Sequence, residues 1–176
     1  VTFIPGNHEL RAGPYLRETL GWTVSGVHLC DAAGASLLLA HGDEADRRPG
    51  YRATRWALRT RGFARLLDAL AVERAQALLD RLAGGGDATD ARDADLVAAQ
   101  RQWAAVHLRQ GAAAVVLGHS HVAGLHDLPA GLVVHTGAWA GLRTWVRFAG
   151  GQVSLLRREA GRDEVLDARA WPPLEP

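Results

Sequence analysis

Three short segments carry the side chains best suited to chemistry: Gly6-Asn7-His8-Glu9, His41-Gly42-Asp43-Glu44 and Gly118-His119-Ser120-His121. Imidazole nitrogen and the amide oxygen of asparagine are donors for borderline divalent ions such as manganese, iron or zinc. Asn7 is the only asparagine of the chain. For any one of these histidines taken singly, a buried, hydrogen-bonded core residue is the commoner explanation. Four histidines and the sole asparagine in three comparable segments read as metal ligation. His119 and His121 are two apart: on a strand they would share a face, whereas in a loop they would splay toward two neighbouring ions.

The elements that must position these segments are legible around them. Each segment follows an apolar, β-prone run: Val1 to Ile4, Ser36 to Ala40 and Ala113 to Leu117. Each also includes a glycine, which permits the tight or left-handed backbone needed to aim side chains back across a sheet edge. Ligands of open α/β sheets bind beyond the carboxyl ends of the strands, so the three loops are expected to converge there. A short helix is expected from Pro14 to Leu20. A strand is expected from Trp22 to Cys30, and a turn at Asp31-Ala32-Ala33-Gly34. One helical block rich in Ala, Leu and Arg should run from about Tyr51 to Leu82, broken by Gly84-Gly85-Gly86, with a further helix from about Ala94 to Arg109. Short strands are expected at Leu132 to His135, Leu142 to Phe148 and Val153 to Arg157, with a frayed tail at Pro172-Pro173. Strands feeding loops, with helices between, make an α/β layered fold.

Composition bounds the function. With 176 residues the chain is about one domain. Twenty basic against 19 acidic residues leave a net charge of +1, which argues against a nucleic-acid partner. A single cysteine excludes an internal disulfide framework and a four-cysteine metal knuckle. No apolar run is long enough to span a bilayer. The opening residues lack the charged and apolar regions of a signal peptide. The chain has no methionine and opens in what reads as mid-strand, so Val1 is taken as an internal position of a longer protein.

The motifs G-N-H-E, H-G-D and G-H-S-H, in this order, resemble the last three motifs of the calcineurin-like metallophosphoesterases. The flanks are similar to the UDP-2,3-diacylglucosamine diphosphatase branch. There H-G-D is followed by an acidic residue and a Y-R-x-x-R-like helical insertion (here His41 to Arg55), and G-H-x-H precedes a hairpin and a T-G-x-W segment (here Thr136-Gly137-Ala138-Trp139). The resemblance implies an αββα two-sheet sandwich with a dinuclear site at the sheet edge. It further implies one phosphoesterase domain over residues 1–176, with a lid-like helical insertion over about 50–110. The family's opening D-x-H and G-D motifs are absent, so the chain reads as the C-terminal two-thirds of such an enzyme. His135 stands where relatives often have asparagine and receives no ligand role. His8 stands where the lipid-precursor hydrolase often has arginine.

By motif position the resemblance assigns Asn7, His41 and His119 to one ion and His121 to the other. Manganese is the first choice, with zinc or iron as alternatives. His8 would stabilise or protonate the leaving oxygen, a general-acid role suited to imidazole; the alternative is a supporting hydrogen bond. Asp43 and Glu44 either orient ligand imidazoles or serve a turn or helix cap. The arginines between Tyr51 and Leu70 (Arg52, Arg55, Arg59, Arg61 and Arg65) form either a basic amphipathic lid against an anionic membrane or lipid diphosphate, or an ordinary Arg-rich surface helix. His28 and Cys30 are not read as a nucleophile pair. His107 and His126 read as packing or surface residues. Asp87, Asp90, Asp93 and Asp95 read as a solvated loop and helix caps. The implied substrate is a phosphoester or nucleoside-diphosphate-linked compound, and the implied location is the cytoplasm, at the periphery of the inner membrane face. The rivals are a phosphatase or phosphodiesterase of soluble nucleotides, and a truncated, non-catalytic module.

Overall fold

The computed structural model describes residues 1–7, 12–58, 60–83 and 90–172. Strand β1 (Thr2–Phe3) pairs in parallel with β2 (Thr23–Val24), and helix α1 (Ala12–Glu18) lies between them in sequence. The apolar run 22–30 does not form one strand. It breaks at Ser25-Gly26 into β2 and β3 (Val27–Ala32). β3 turns back into β4 (Ala35–Ala40) through Ala33 and Gly34, both at positive φ, 57° and 83°, the geometry of a two-residue hairpin turn.

Among the described residues between β4 and the next strand, β5 (Ala114–Leu117), lie a 3₁₀ turn (Asp43–Ala45) and four helices: α2 (Pro49–Leu58), α3 (Arg61–Ala69), α4 (Val72–Ala83) and α5 (Asp90–Arg109). The helical block expected over Tyr51 to Leu82 is thus three helices. One break falls at Thr60, whose hydroxyl caps α3 by accepting the Phe63 N–H at 3.2 Å. The other follows at Leu70, where the backbone turns extended. α5 begins four residues earlier than expected, taking in Asp90 and Asp93.

The chain then runs through β6 (Ala123–Leu128), β7 (Gly131–Thr136), β8 (Thr144–Ala149), β9 (Gln152–Glu159) and β10 (Arg162–Ala170). A five-stranded sheet has the order β3-β4-β5-β7-β6, with β4, β5 and β7 parallel and the antiparallel β3 and β6 at its edges. A three-stranded antiparallel sheet has the order β10-β9-β8. Leu37, Ala114, Leu132 and Val134 of the first sheet meet Val153, Leu155 and Trp171 in one buried cluster, so the two sheets pack face to face. Alternate residues of the same strands, Leu38, Val115, Leu117 and Val133, pack under Ala104 and Leu108 of α5. Because side chains on a strand alternate, one set of strands serves both layers. This is the two-sheet α/β sandwich that the resemblance implies. No helix among the described residues is long and apolar enough to cross a membrane.

Candidate functional site

Sheet register builds the site. β4 and β5 run side by side in parallel with Ala40 opposite Leu117, so His41 and Gly118 leave the sheet together. The Gly118 N–H donates to the His41 carbonyl at 2.9 Å, extending the ladder by one bond into the loops. Asn7 arrives from beyond β1, and its Oδ1 lies 3.1 Å from His41 Nε2, where the imidazole N–H donates to the amide oxygen. The His41 and His119 rings lie 5.1 Å apart, centroid to centroid, and Tyr51 of α2 lies 5.3 Å from His119 on another side.

The three expected ligands of one ion, Asn7, His41 and His119, therefore stand at one sheet edge. His121 does not join them: it is exposed, with no ring, hydrogen-bond or ion-pair partner among the described residues. The reason is local. His119 and His121 both take left-handed backbone, φ 65° and 56°, which turns successive side chains apart. Such strain in residues other than glycine concentrates at working sites. His8 lies outside the described residues.

The acidic residues after His41 divide their roles in a way the sequence left open. Asp43, fully buried, receives the Arg55 guanidinium at 2.6 Å and the Tyr51 hydroxyl at 3.2 Å. Glu44 accepts the Gly42 N–H at 3.1 Å and the Arg55 Nη2 at 3.3 Å. Burial, with Asp43 alongside, raises the Glu44 carboxyl above its ordinary range. Arg55 is thus drawn inward by two carboxylates and is not part of an outward basic face. Burial also pushes the Tyr51 hydroxyl upward, and Asp43 adds to it.

Asp46, which the motifs did not single out, lies beside His119, with Oδ2 3.6 Å from Nε2. That is beyond hydrogen-bond reach. Burial alone would raise Asp46, but the Arg48 side chain and backbone N–H, both bonded to it, hold it below its ordinary value. His119 is lowered to about 4, first by burial and then by His41. It is a neutral imidazole at physiological pH, the form that ligates metal.

These residues fit a single ion in part. His119 Nε2 is buried and has no hydrogen bond among the described residues; its charged neighbour is Asp46, at 3.6 Å. Against this, among the described residues no three His, Cys, Asp or Glu side chains are grouped to hold an ion. The donor set is three neutral groups, and Asp46 is engaged by Arg48.

One residue that holds the histidine loops was not singled out from the sequence. Gln100 of α5 is fully buried, and its amide donates to the Gly42 carbonyl at 3.2 Å and the Gly118 carbonyl at 3.0 Å. The signal was there: Gln100, Ala104 and Leu108 follow at four-residue intervals, a polar residue on an otherwise apolar stripe. Thr144, at the start of β8, packs against Gly137 of the T-G-x-W segment. A Cβ at Gly137 would stand 2.1 Å from the threonine hydroxyl, and the glycine's φ is +72°. Trp139 of that segment is exposed.

Fold and site together define a two-sheet α/β sandwich with a histidine-bearing cluster beyond the ends of its parallel strands. No protein-family model matches the chain, and no curated protein matches it. Among solved structures, it is similar to Vacuolar Protein Sorting 29 from Cryptosporidium parvum, at 12% identity and a TM-score of 0.42, over 84% of this chain and 58% of that one. The chain thus spans little more than half the length of that structure.

Proposed function

We propose that this chain belongs to a metal-dependent phosphoesterase of the calcineurin-like superfamily, hydrolysing a pyrophosphate or phosphodiester bond. The observation that carries the reading is the meeting of Asn7, His41 and His119, from three separate strand-end loops, at one sheet edge, with His119 Nε2 buried and without a hydrogen bond among the described residues. The three would hold one divalent ion, which when bound polarises a phosphoryl oxygen and makes a nucleophile of water. His8 is proposed to protonate the leaving oxygen, and His121 to serve a second ion where carboxylates from outside these 176 residues complete it.

Three neutral donors leave the charge of an ion uncompensated, and hard ions favour carboxylate oxygen over imidazole. Dialysed against zinc or manganese, the chain should retain at most one weakly held ion, zinc in preference, and His119→Ala, which removes a proposed ligand outright, should lower zinc affinity by at least the roughly 10- to 100-fold typical of losing a supporting group. Turnover of a bis-aryl phosphate should stay near background. Two tightly retained ions would show that another residue supplies the missing bridge. No zinc at all would favour the non-catalytic module, a reading the neutral donor set also supports.

The finer proposal is a diphosphatase acting on a nucleoside-diphosphate-linked lipid sugar, at the periphery of an anionic membrane. Its support is the helical insertion, where Trp56, Leu66 and Val72 are exposed among Arg52 and Arg65. In an active enzyme containing this chain, Trp56→Ser with Leu66→Ser should slow an acylated substrate about tenfold, or ~1.4 kcal/mol in the barrier, and spare its deacylated form. Equal effects on both substrates would remove the insertion from lipid recognition.

A further inference from the structure

A carboxamide on the apolar face of a helix is costly to bury unless both of its N–H groups find acceptors. Gln100 donates both to backbone carbonyls of the two histidine loops, those of Gly42 and Gly118, while its buried Oε1 has no hydrogen-bond partner among the described residues. These glycines are the residue after His41 and the residue before His119. Gly118 is in turn bonded through its N–H to the His41 carbonyl. A closed circuit of three hydrogen bonds therefore joins the two loops to each other and to α5.

The loops are shaped to admit this amide. A Cβ at Gly42 would stand 2.4 Å from Gln100 Nε2 and 3.2 Å from the Gly118 carbonyl oxygen, and Gly42 has φ +100°. No side chain other than hydrogen fits there while Gln100 stays. The Gly118 carbonyl also accepts the Ser120 N–H at 2.8 Å, across the left-handed His119. The strained residue is thus flanked by a carbonyl that Gln100 and Ser120 hold in place.

We propose that Gln100 is a positioning residue that sets the separation of His41 and His119 before any ion arrives. It acts through the backbone and touches neither imidazole. The use of that separation for metal binding rests on the function proposed above, whereas the clamp itself does not.

Two variants test it. Gln100→Met keeps an unbranched side chain of similar length but removes both donors. Leu108→Ala, two turns along the same buried stripe, weakens the packing of α5 without touching either carbonyl. In the metal-free chain, Gln100→Met should shift the imidazole nitrogen NMR signals of His41 and His119 and leave those of His126 and His135 in place. Zinc affinity, read by titration and by the visible spectrum of the cobalt-substituted chain, should fall about 10- to 100-fold. Leu108→Ala should lower thermal stability and leave zinc affinity within about twofold, since metal affinity answers to the groups that orient the ligands. Unmoved His41 and His119 signals in Gln100→Met, or equal loss of zinc binding in both variants, would overturn the proposal. Should the unaltered chain bind no zinc, the metal reading fails, and the two ring signals alone decide whether the clamp stands.

Discussion

Trp171→Ala is expected to cost about 3–5 kcal/mol, the range for removing a large buried aromatic side chain. Trp171 is 3% exposed and follows directly on β10, in the cluster that joins the two sheets. Its indole N–H donates to the Ala32 carbonyl at 2.8 Å, its backbone N–H donates to Gly151 at 2.8 Å, and its ring stands edge-on to Phe148 at 4.9 Å. One residue thus spans from the hairpin of the first sheet, by its side chain, to the β8–β9 turn of the second, by its backbone. For a chain of this length the melting temperature should fall by roughly 10 °C, and a thermal melt reads it directly. Trp171→Phe should lose much less, because it keeps most of the packing and forfeits one hydrogen bond of about 1 kcal/mol. A Trp171→Ala melt within about 2 °C of the unaltered chain would mean that the sheets hold together without it.

The second large effect is on acid stability. His135 of β7 is fully buried on the α5 side of the sheet, and neither ring nitrogen has a hydrogen-bond partner among the described residues. Its neighbours are His126, edge-on at 5.1 Å, and Arg101, whose guanidinium lies 2.7 Å from His126 Nδ1. Burial, then His126 and Arg101, lowers His135 to about 4 from an ordinary 6.5. The unfolded chain therefore takes up this proton at a higher pH than the folded one. The stability linked to His135 is complete above pH 6.5, declines as pH falls toward 4, and is level below that. The shift amounts to about 3 kcal/mol. His119 is displaced in the same direction and adds to the loss over the same window.

Denaturant unfolding from pH 8 to 4, in the presence of a chelator, should show His135→Leu losing about 2–3 kcal/mol less than the unaltered chain. At pH 8 the variant should be equally stable or slightly more so, because it removes two buried groups that lack partners. Parallel stability curves would show that His135 is not the group that titrates.

Much of this architecture was legible in local sequence. The β-prone runs before Asn7, His41 and Gly118, each ending in a polar loop with a glycine, marked strand ends, and the turn at 31–34 marked a hairpin. Motif order pointed to a two-sheet α/β sandwich, and two such sheets pack face to face. Local signals failed where structure depends on partners far along the chain. β10 reads as a polar strand because it is an edge, with Arg158 and Asp163 paired across its hairpin with β9, so it lacked the apolar run that marked its neighbours. The histidine loops meet because Ala40 lies opposite Leu117, a register 77 residues apart in sequence that no short-range pattern encodes.

The same limit divides the site. Residue type and spacing were enough to nominate Asn7, His41, His119 and His121 as donors. The motif order already set His121 apart from the other three; the fold adds that both histidines of Gly118-His119-Ser120-His121 take positive φ and that His119 is largely buried whereas His121 is exposed. Only the fold distributed the charges: Asp43 and Glu44 went to Arg55, Asp46 to Arg48, and Gln100 to the two loop carbonyls. The physical reason is that a side chain's chemistry is local, whereas its partner is whatever the packing of distant strands brings within about 3 Å.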